Sequence, residues 1–333
     1  MINKVSLIQL SQRLLKKLKR WGVFSLVLAL TLCALSVVGI YWSSEPETLG
    51  VAKADTKSRP GRATVQMLND VVDLLLTKPG GFLSNDVMLP GVWLDNMPSW
   101  EFGVLVQVRD LSKALRESFS RSQSQSNEDP DLALAEPRFN VDHKSWAVPW
   151  PEREYAEGQA FLESYLIRLD SPPPAEAEFF ARADNLRYWL ATIETRLGSL
   201  SQRLSASVGH SRLDGLPDDQ GRNKLKQPRR VNKTPWLMVD NVFYEARGTT
   251  WALLNFLQAV QVDFADILEK KGATASLGQI IYELEMSQKP IKTPVIVNGE
   301  GFGLFANHSL VMDSYISRAN AALIDLRELL ARG

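Results

Sequence analysis

Cysteine is almost missing from this chain of 333 residues: Cys33 stands alone, so no internal disulfide can form. Oxidising compartments are thereby permitted but not demanded. Histidine is nearly as scarce. His143, His210 and His308 are not paired at ligand spacing, so no metal and no other cofactor is expected. An excess of charge is lacking too, because 38 lysines and arginines balance 38 aspartates and glutamates, with a pI near 6.9. A nucleic-acid binder carries a net basic balance, which disfavours that class. There is no Gly-x-Ser-x-Gly, and the histidines have no patterned Ser or Asp partners, so nucleophilic triads are unsupported. Strand-like stretches amount to residues 104–108 and 294–297, too little to make a sheet.

What the chain does have is one long apolar run, residues 23–42, reading VFSLVLALTLCALSVVGIYW. At 1.5 Å per helical residue such a run reaches about 30 Å, the thickness of a bilayer's hydrocarbon layer. Trp21 at one border and Tyr41 with Trp42 at the other suit the headgroup level. Lys4, Arg13, Lys16, Lys17, Lys19 and Arg20 precede the run with no acidic residue, whereas Glu45, Glu47 and Asp55 follow it, mixed with Lys53 and Lys57. The positive-inside rule then places the N-terminus in the cytoplasm and the bulk of the chain in the periplasm.

The rival reading is a cleaved signal peptide, with Ala52-Lys53-Ala54 as its site near Ala54. The apolar run is longer than such peptides carry and that site lies well beyond its end, so a retained anchor is expected. Cys33, mid-run, reads as a packed apolar residue. Four segments follow from this: 1–20 a basic cytoplasmic segment, 21–42 a transmembrane helix, 43–60 a tether, and 61–333 a periplasmic domain. In the first segment Val5, Ile8, Leu14, Leu15 and Leu18 allow a short helix lying on an anionic leaflet, while the plainer reading is that its cations only set topology.

Beyond the anchor the apolar residues recur in steps of four and three. Phe179, Ala183, Leu186, Leu190, Ile193, Leu197, Leu200 and Leu204 form the seam of a coiled-coil-like helix that starts near Pro174 and stops at Gly209. A second seam runs from Phe243 to Ile267, with Asp240 as candidate N-cap and Gly272 as terminator. A third runs from Phe305 to Leu330, with Asn307 able to cap. Shorter helices are expected at residues 62–78, 99–120 (capped by Ser99), 151–169 and 273–288. Helices with apolar seams are unstable alone in water, so these must pack together. The expected fold is all-α: an elongated, coiled-coil-like helical bundle after a transmembrane helix. Irregular loops are expected at about 121–150 and 209–235, the former polar and mobile at its start, the latter basic. In the latter, Arg229 and Arg230 are candidate binding residues for anionic envelope material or an acidic partner, and a solvated connector is the plainer reading.

Two helix starts look alike. Asp95-Asn96 and Asp240-Asn241 each lead, through an aromatic followed by Glu, to a glycine inside the helix, Gly103 and Gly248. A helical glycine costs about 1 kcal/mol against alanine, so each is expected where another backbone approaches closely. A weak internal duplication fits the pattern. Residues 298–303, NGEGFG, superficially match a phosphate-cradling loop at a helix start, but lack the preceding strand and the lysine, and read as a hinge. Tyr244-Glu245-Ala246-Arg247-Gly248 resembles the stretch around the catalytic glutamate of spore-cortex-type cell-wall hydrolases. That resemblance would make Glu245 a general acid in a peptidoglycan-acting enzyme, although Thr249 stands where the motif has a second glutamate.

Three longer stretches, GRATVQMLNDVVDLLLTKPGGFLSND, DNMPSWEFGVLVQVRDLSKALR and DNVFYEARGTTWALLNFLQAV, are similar to a family of uncharacterised, membrane-anchored proteins of Gram-negative bacteria, a domain of unknown function. The resemblance implies an inner-membrane protein with its bulk in the periplasm and brings no catalytic residues. The expected function is non-enzymatic: a membrane-anchored module that binds or scaffolds an envelope protein, with Trp93, Trp100, Trp146, Trp150 and Trp236 as contact anchors. Homo-oligomers are compatible with this. The alternatives are the hydrolase using Glu245 and a periplasmic sensing domain that signals through a partner, since the segment before the membrane is too short to signal itself. The direction of Glu245 separates the first two: a buried carboxyl with a second acid about 5–9 Å away favours the enzyme, and a pairing with arginine favours the module.

Overall fold

The computed structural model describes residues 4–50, 59–121, 127–172, 176–211, 231–291, 293, 295–299 and 305–332. The chain begins with one continuous helix, α1 (Lys4–Trp42), that merges the expected basic segment with the apolar run. Then come α2 (Arg62–Thr77), α3 (Asn96–Ala114, prolonged by a π turn at Leu115–Phe119), α4 (Pro130–Phe139) and α5 (Pro151–Leu169). They are followed by α6 (Ala183–Ser205), α7 (Val239–Asp263), α8 (Ala265–Lys270), α9 (Thr274–Ser287) and α10 (His308–Ala331). Among the described residues the only strands are β1 (His210–Ser211) and β2 (Val231–Asn232), one short antiparallel pairing. The all-α bundle expected from the seams is the fold.

At its centre α3 and α7 lie side by side and parallel. Near their starts Gly103 faces the α7 backbone and Gly248 faces the α3 backbone; near their ends the rings of Phe119 and Phe264 lie 5.6 Å apart. A Cβ on Gly103 would stand on the Glu245 carbonyl oxygen and 2.7 Å from Thr249 N, and one on Gly248 would stand on the Trp100 carbonyl oxygen and 2.8 Å from its carbon. Both glycines are thus required by close backbone approach, as the repeated helix starts predict. The contacts are reciprocal, so the weak sequence repeat is matched by a local two-fold relation.

The other helices run against this pair. Thr64 at the start of α2 bonds Asp263 at the end of α7, through its N–H at 2.7 Å and its hydroxyl at 2.6 Å. Arg196 and Tyr188 of α6 reach Asp110 and Glu117 of α3 at 2.8 and 2.6 Å. On α6, Leu186, Leu190, Ile193, Leu197 and Leu200 are buried against the buried seam of α10, and Ser201 donates to Asp313 at 2.6 Å across that antiparallel contact. In consequence α3, α5, α7 and α10 all begin at one end of the bundle. That is also the end where α1 arrives: the Trp42 ring covers Gly80, and Arg247 of α7 holds Glu45, just past α1, at 2.5 Å. Residues 43–50, the start of the expected tether, therefore lie against the bundle, with Leu49 packed on its core; residues 51–58, including Ala54, lie outside the described residues.

Several boundaries differ from the sequence expectation, some for tertiary and some for local reasons. Helix α6 starts at Ala183 and not near Pro174, because the segment before it is drawn out to close the bundle. Phe180 N donates to Phe119 O at 2.7 Å, and the Phe179 ring sits 5.3 and 5.9 Å from Phe119 and Phe264. Burial of Phe264 in that same cluster ends α7, so the expected second seam is split between α7 and α8 before Gly272, at φ 61°, ends the latter. Asp240 lies inside α7, after a single turn at Trp236–Met238, and Ser99 sits one turn inside α3, where its hydroxyl bonds Asp95 O. Residues 104–108 are helical within α3. The segment expected to be irregular at 121–137 contains most of α4, whose start is fixed by Pro130 and by Asp129 accepting from Asp131 N and Leu132 N. Asn307 caps α10 as expected, accepting from Leu310 N at 2.9 Å, but Phe305 stands outside the helix, 71 % exposed.

Candidate functional site

The repeated helix starts bring together one of the hollows of the bundle. A cleft of about 470 Å³ opens between the first turns of α3 and α7, floored by Phe102 and Val242 and walled by Asp86, His143, Arg203 and Glu245. Its rim is held from below by a buried ion pair. Lys78 at the end of α2 meets Glu101 of α3 at 2.7 Å, both side chains almost wholly sequestered. Glu101 also accepts from Leu83 N at 2.9 Å and Ser84 Oγ at 2.6 Å, which fixes the loop after α2 along the cleft edge. Burial pushes the Glu101 carboxyl above its usual range, and Lys78 with these donors pulls it back.

An ion pair faces the cleft. Arg203 from the end of α6 grips Glu245 with both guanidinium nitrogens, at 2.6 and 2.5 Å. Asp86 is raised above the ordinary carboxylate range by burial and by neighbouring Glu152, with Lys78 opposing. The His143 ring stacks on Phe102 with centroids 4.7 Å apart, and burial together with Arg109 and Lys144 holds it below the usual imidazole value while Asp142 opposes them. Neutral imidazole on an aromatic floor, with a carboxyl of raised pKa at the rim, makes a polar-edged apolar hollow. Among the described residues no group of three His, Cys, Asp or Glu side chains could hold a metal ion.

The residues singled out in the sequence divide sharply. Glu245 is in the cleft wall but is paired with arginine. Its neighbour Arg247 is buried, and donates to Glu45 and to the carbonyls of Ser287 and Lys289. Trp100 is fully buried against Trp251, with ring centroids 5.1 Å apart, and belongs to the α3–α7 core and not to any contact surface. Trp93, Trp146, Trp150 and Trp236 are exposed. Arg229 and Arg230 lie outside the described residues, as do residues 300–303 of the expected glycine hinge. His308 works structurally, its Nδ1 accepting from Val297 N at 2.9 Å. Asp86, Phe102 and Arg203 were missed as cleft residues. The repeated Asp-Asn starts were the signal that could have found them, since the hollow lies between the two copies.

Fold and cleft define an all-α bundle preceded by one helix, Trp21–Trp42, long and apolar enough to cross a membrane. The chain belongs to DUF2333, a family of uncharacterised proteins conserved in bacteria, whose model matches residues 15–333. No curated protein and no solved structure is significantly similar to it.

Proposed function

We propose that this chain is a single-pass inner-membrane protein whose bundle stands on the periplasmic side and serves as a non-enzymatic interaction or scaffolding element of the cell envelope. One observation carries the reading: the 22-residue apolar part of α1 is almost entirely unburied, yet its far end is keyed to the bundle. A core helix would be covered by its own protein, and this one presents Val23, Phe24, Leu30 and Ile40 outward. The cations ahead of that apolar part, within the first half of α1, set its direction. The grip of Arg203 on Glu245 favours a structural role over general-acid catalysis, which needs a carboxyl free to give up its proton to a sugar oxygen.

The test has two arms. Alkaline phosphatase fused after Arg332 is expected to be active in cells and a cytoplasmically folding fluorescent protein at the same place to stay dark; the opposite result removes the topology. Photocrosslinkers at Ile167 and Tyr282, both exposed on the bundle's flanks, are expected to capture a recurring envelope protein in intact cells. Their failure at every flank position would remove the interaction role.

A further inference from the structure

Most of the exposed large apolar side chains of the bundle lie at the end where α1 arrives, while Leu134, Ile167, Tyr188, Tyr282 and Ile324 stand singly elsewhere. The loop between α2 and α3 contains the uncharged stretch 87–94, VMLPGVWL, of which Met88 and Val87 are 74 % and 59 % exposed and Trp93 is 55 % exposed. Beside it, bridged by Asn85 donating to Ser145 O at 3.2 Å, the turn before α5 exposes Trp146, Val148 and Trp150. The turn before α7, whose Met238 shares the cleft with Val92 and Leu94, exposes Trp236 and Leu237. The approach to α10 adds Val295 and Phe305, tied to α7 through His308, whose ring lies 6.3 Å from that of Phe243. Four separate loops at that end thus expose apolar side chains. Single exposed apolar residues need no explanation, but so many gathered at one end of a bundle mark a surface that something covers.

Contact with α1 identifies the cover. Gly39 lies within the apolar run, and a Cβ there would stand 3.7 Å from both Leu94 and Pro90. Trp42 lies three positions beyond Gly39, about 4.5 Å along the helix. A loop that touches α1 inside its apolar run cannot clear a bilayer which that run spans. Tryptophans at the rim of apolar loops are the side chains that settle at the headgroup level, with the indole N–H in the polar layer and the ring below it.

We infer that the α1 end of the bundle is a second membrane-contact surface: the loops carrying Trp93, Trp146 and Trp236 lie in the interfacial layer of the leaflet from which α1 emerges. The inference rests on the anchor reading above and adds that the bundle rests on the lipid and is not lifted away from it. The exposed tryptophans first assigned to a protein partner are taken up by phospholipid. The cleft, opening beside them, faces the headgroups.

The experiment uses the full chain carrying Cys33→Ser, reconstituted in phosphatidylethanolamine and phosphatidylglycerol vesicles. A single environment-sensitive fluorophore is attached through Leu28→Cys, Trp93→Cys, Trp236→Cys or Ile167→Cys in turn. Lipids bearing a nitroxide near the top of the acyl chain serve as quencher. Ile167 is exposed near the opposite end of α5. The expected result is quenching and a blue-shifted emission at 93 and 236, with no quenching at 167. Quenching at 28 but not at 93 and 236 would overturn the surface while leaving the anchor standing. Absence of quenching at 28 would remove the anchor reading and this inference with it. Energy transfer between copies labelled at 93, without lipid quenching there, would assign this surface to a second copy and overturn the proposal.

Discussion

Gly103 and Gly248 show how single residues set the spacing of the core. At both positions an added methyl would collide with carbonyl backbone, which cannot swing aside as a side chain would. Gly103→Ala and Gly248→Ala are therefore each expected to destabilise by about 1–3 kcal/mol or more, the range for forced overpacking. Urea unfolding of the detergent-solubilised chain would measure this. Gly278, within α9 and with open space around its Cα, provides the contrast: Gly278→Ala is expected to be neutral or to stabilise by up to about 1 kcal/mol.

His143 gives the matching pH prediction. Its folded pKa lies below the ordinary 6.5, so between the two values the unfolded chain holds a proton that the folded chain does not. Stability from this group is present above pH 6.5 and is lost as pH falls through that window, with a slope of at most about 1.4 kcal/mol per pH unit. Thermal melts between pH 7.5 and 5.5 should show a shallower decline in His143→Gln than in the parent chain.

Among the elements, the seams of α6 and α10 were legible because period and burial coincide from Leu186 to Leu204 and from Met312 to Leu330. Leu323→Ala, in the middle of that contact, is expected to cost about 2–5 kcal/mol in the same unfolding assay. Element ends were less legible. Phe179 continues the α6 period in sequence, yet its ring is claimed by Phe119 and Phe264, residues 60 and 85 positions away, and no local pattern records such a claim. The cleft was half legible: the twin Asp-Asn starts and their glycines announced a close pair of helices. Arg203 and Asp86 arrive from other elements and carry no mark of it. Arg247 is the joint between α1 and the bundle. Arg247→Lys keeps the charge but loses the fork that meets Glu45 and two carbonyls, so it should loosen that joint. Spin labels at Val38 and Val87 would report this as a broadened distance distribution, and an unchanged one would place the joint elsewhere.

Across the whole molecule, the arrangement ties its two halves together. The face of α3 that carries Gly103 is completed only by α7, so a chain cut after Met238 lacks half of the central pair. Such a truncation is expected to show helical circular dichroism without a cooperative melt, and a sharp transition in it would mean that α2 to α6 form an independent unit.

The parallel union of α3 with α7 also has a consequence for biogenesis. Helices joined by a short loop meet as soon as the hairpin has been made, but Gly103 must wait for Gly248, 145 positions later. At about 5–20 residues per second, the ribosome keeps Trp100 and its neighbours without their final partner for roughly 7–30 seconds. A nascent chain in that interval exposes a greasy half-interface, and a chaperone that shields it until the second copy of the motif emerges would govern how much of the protein matures.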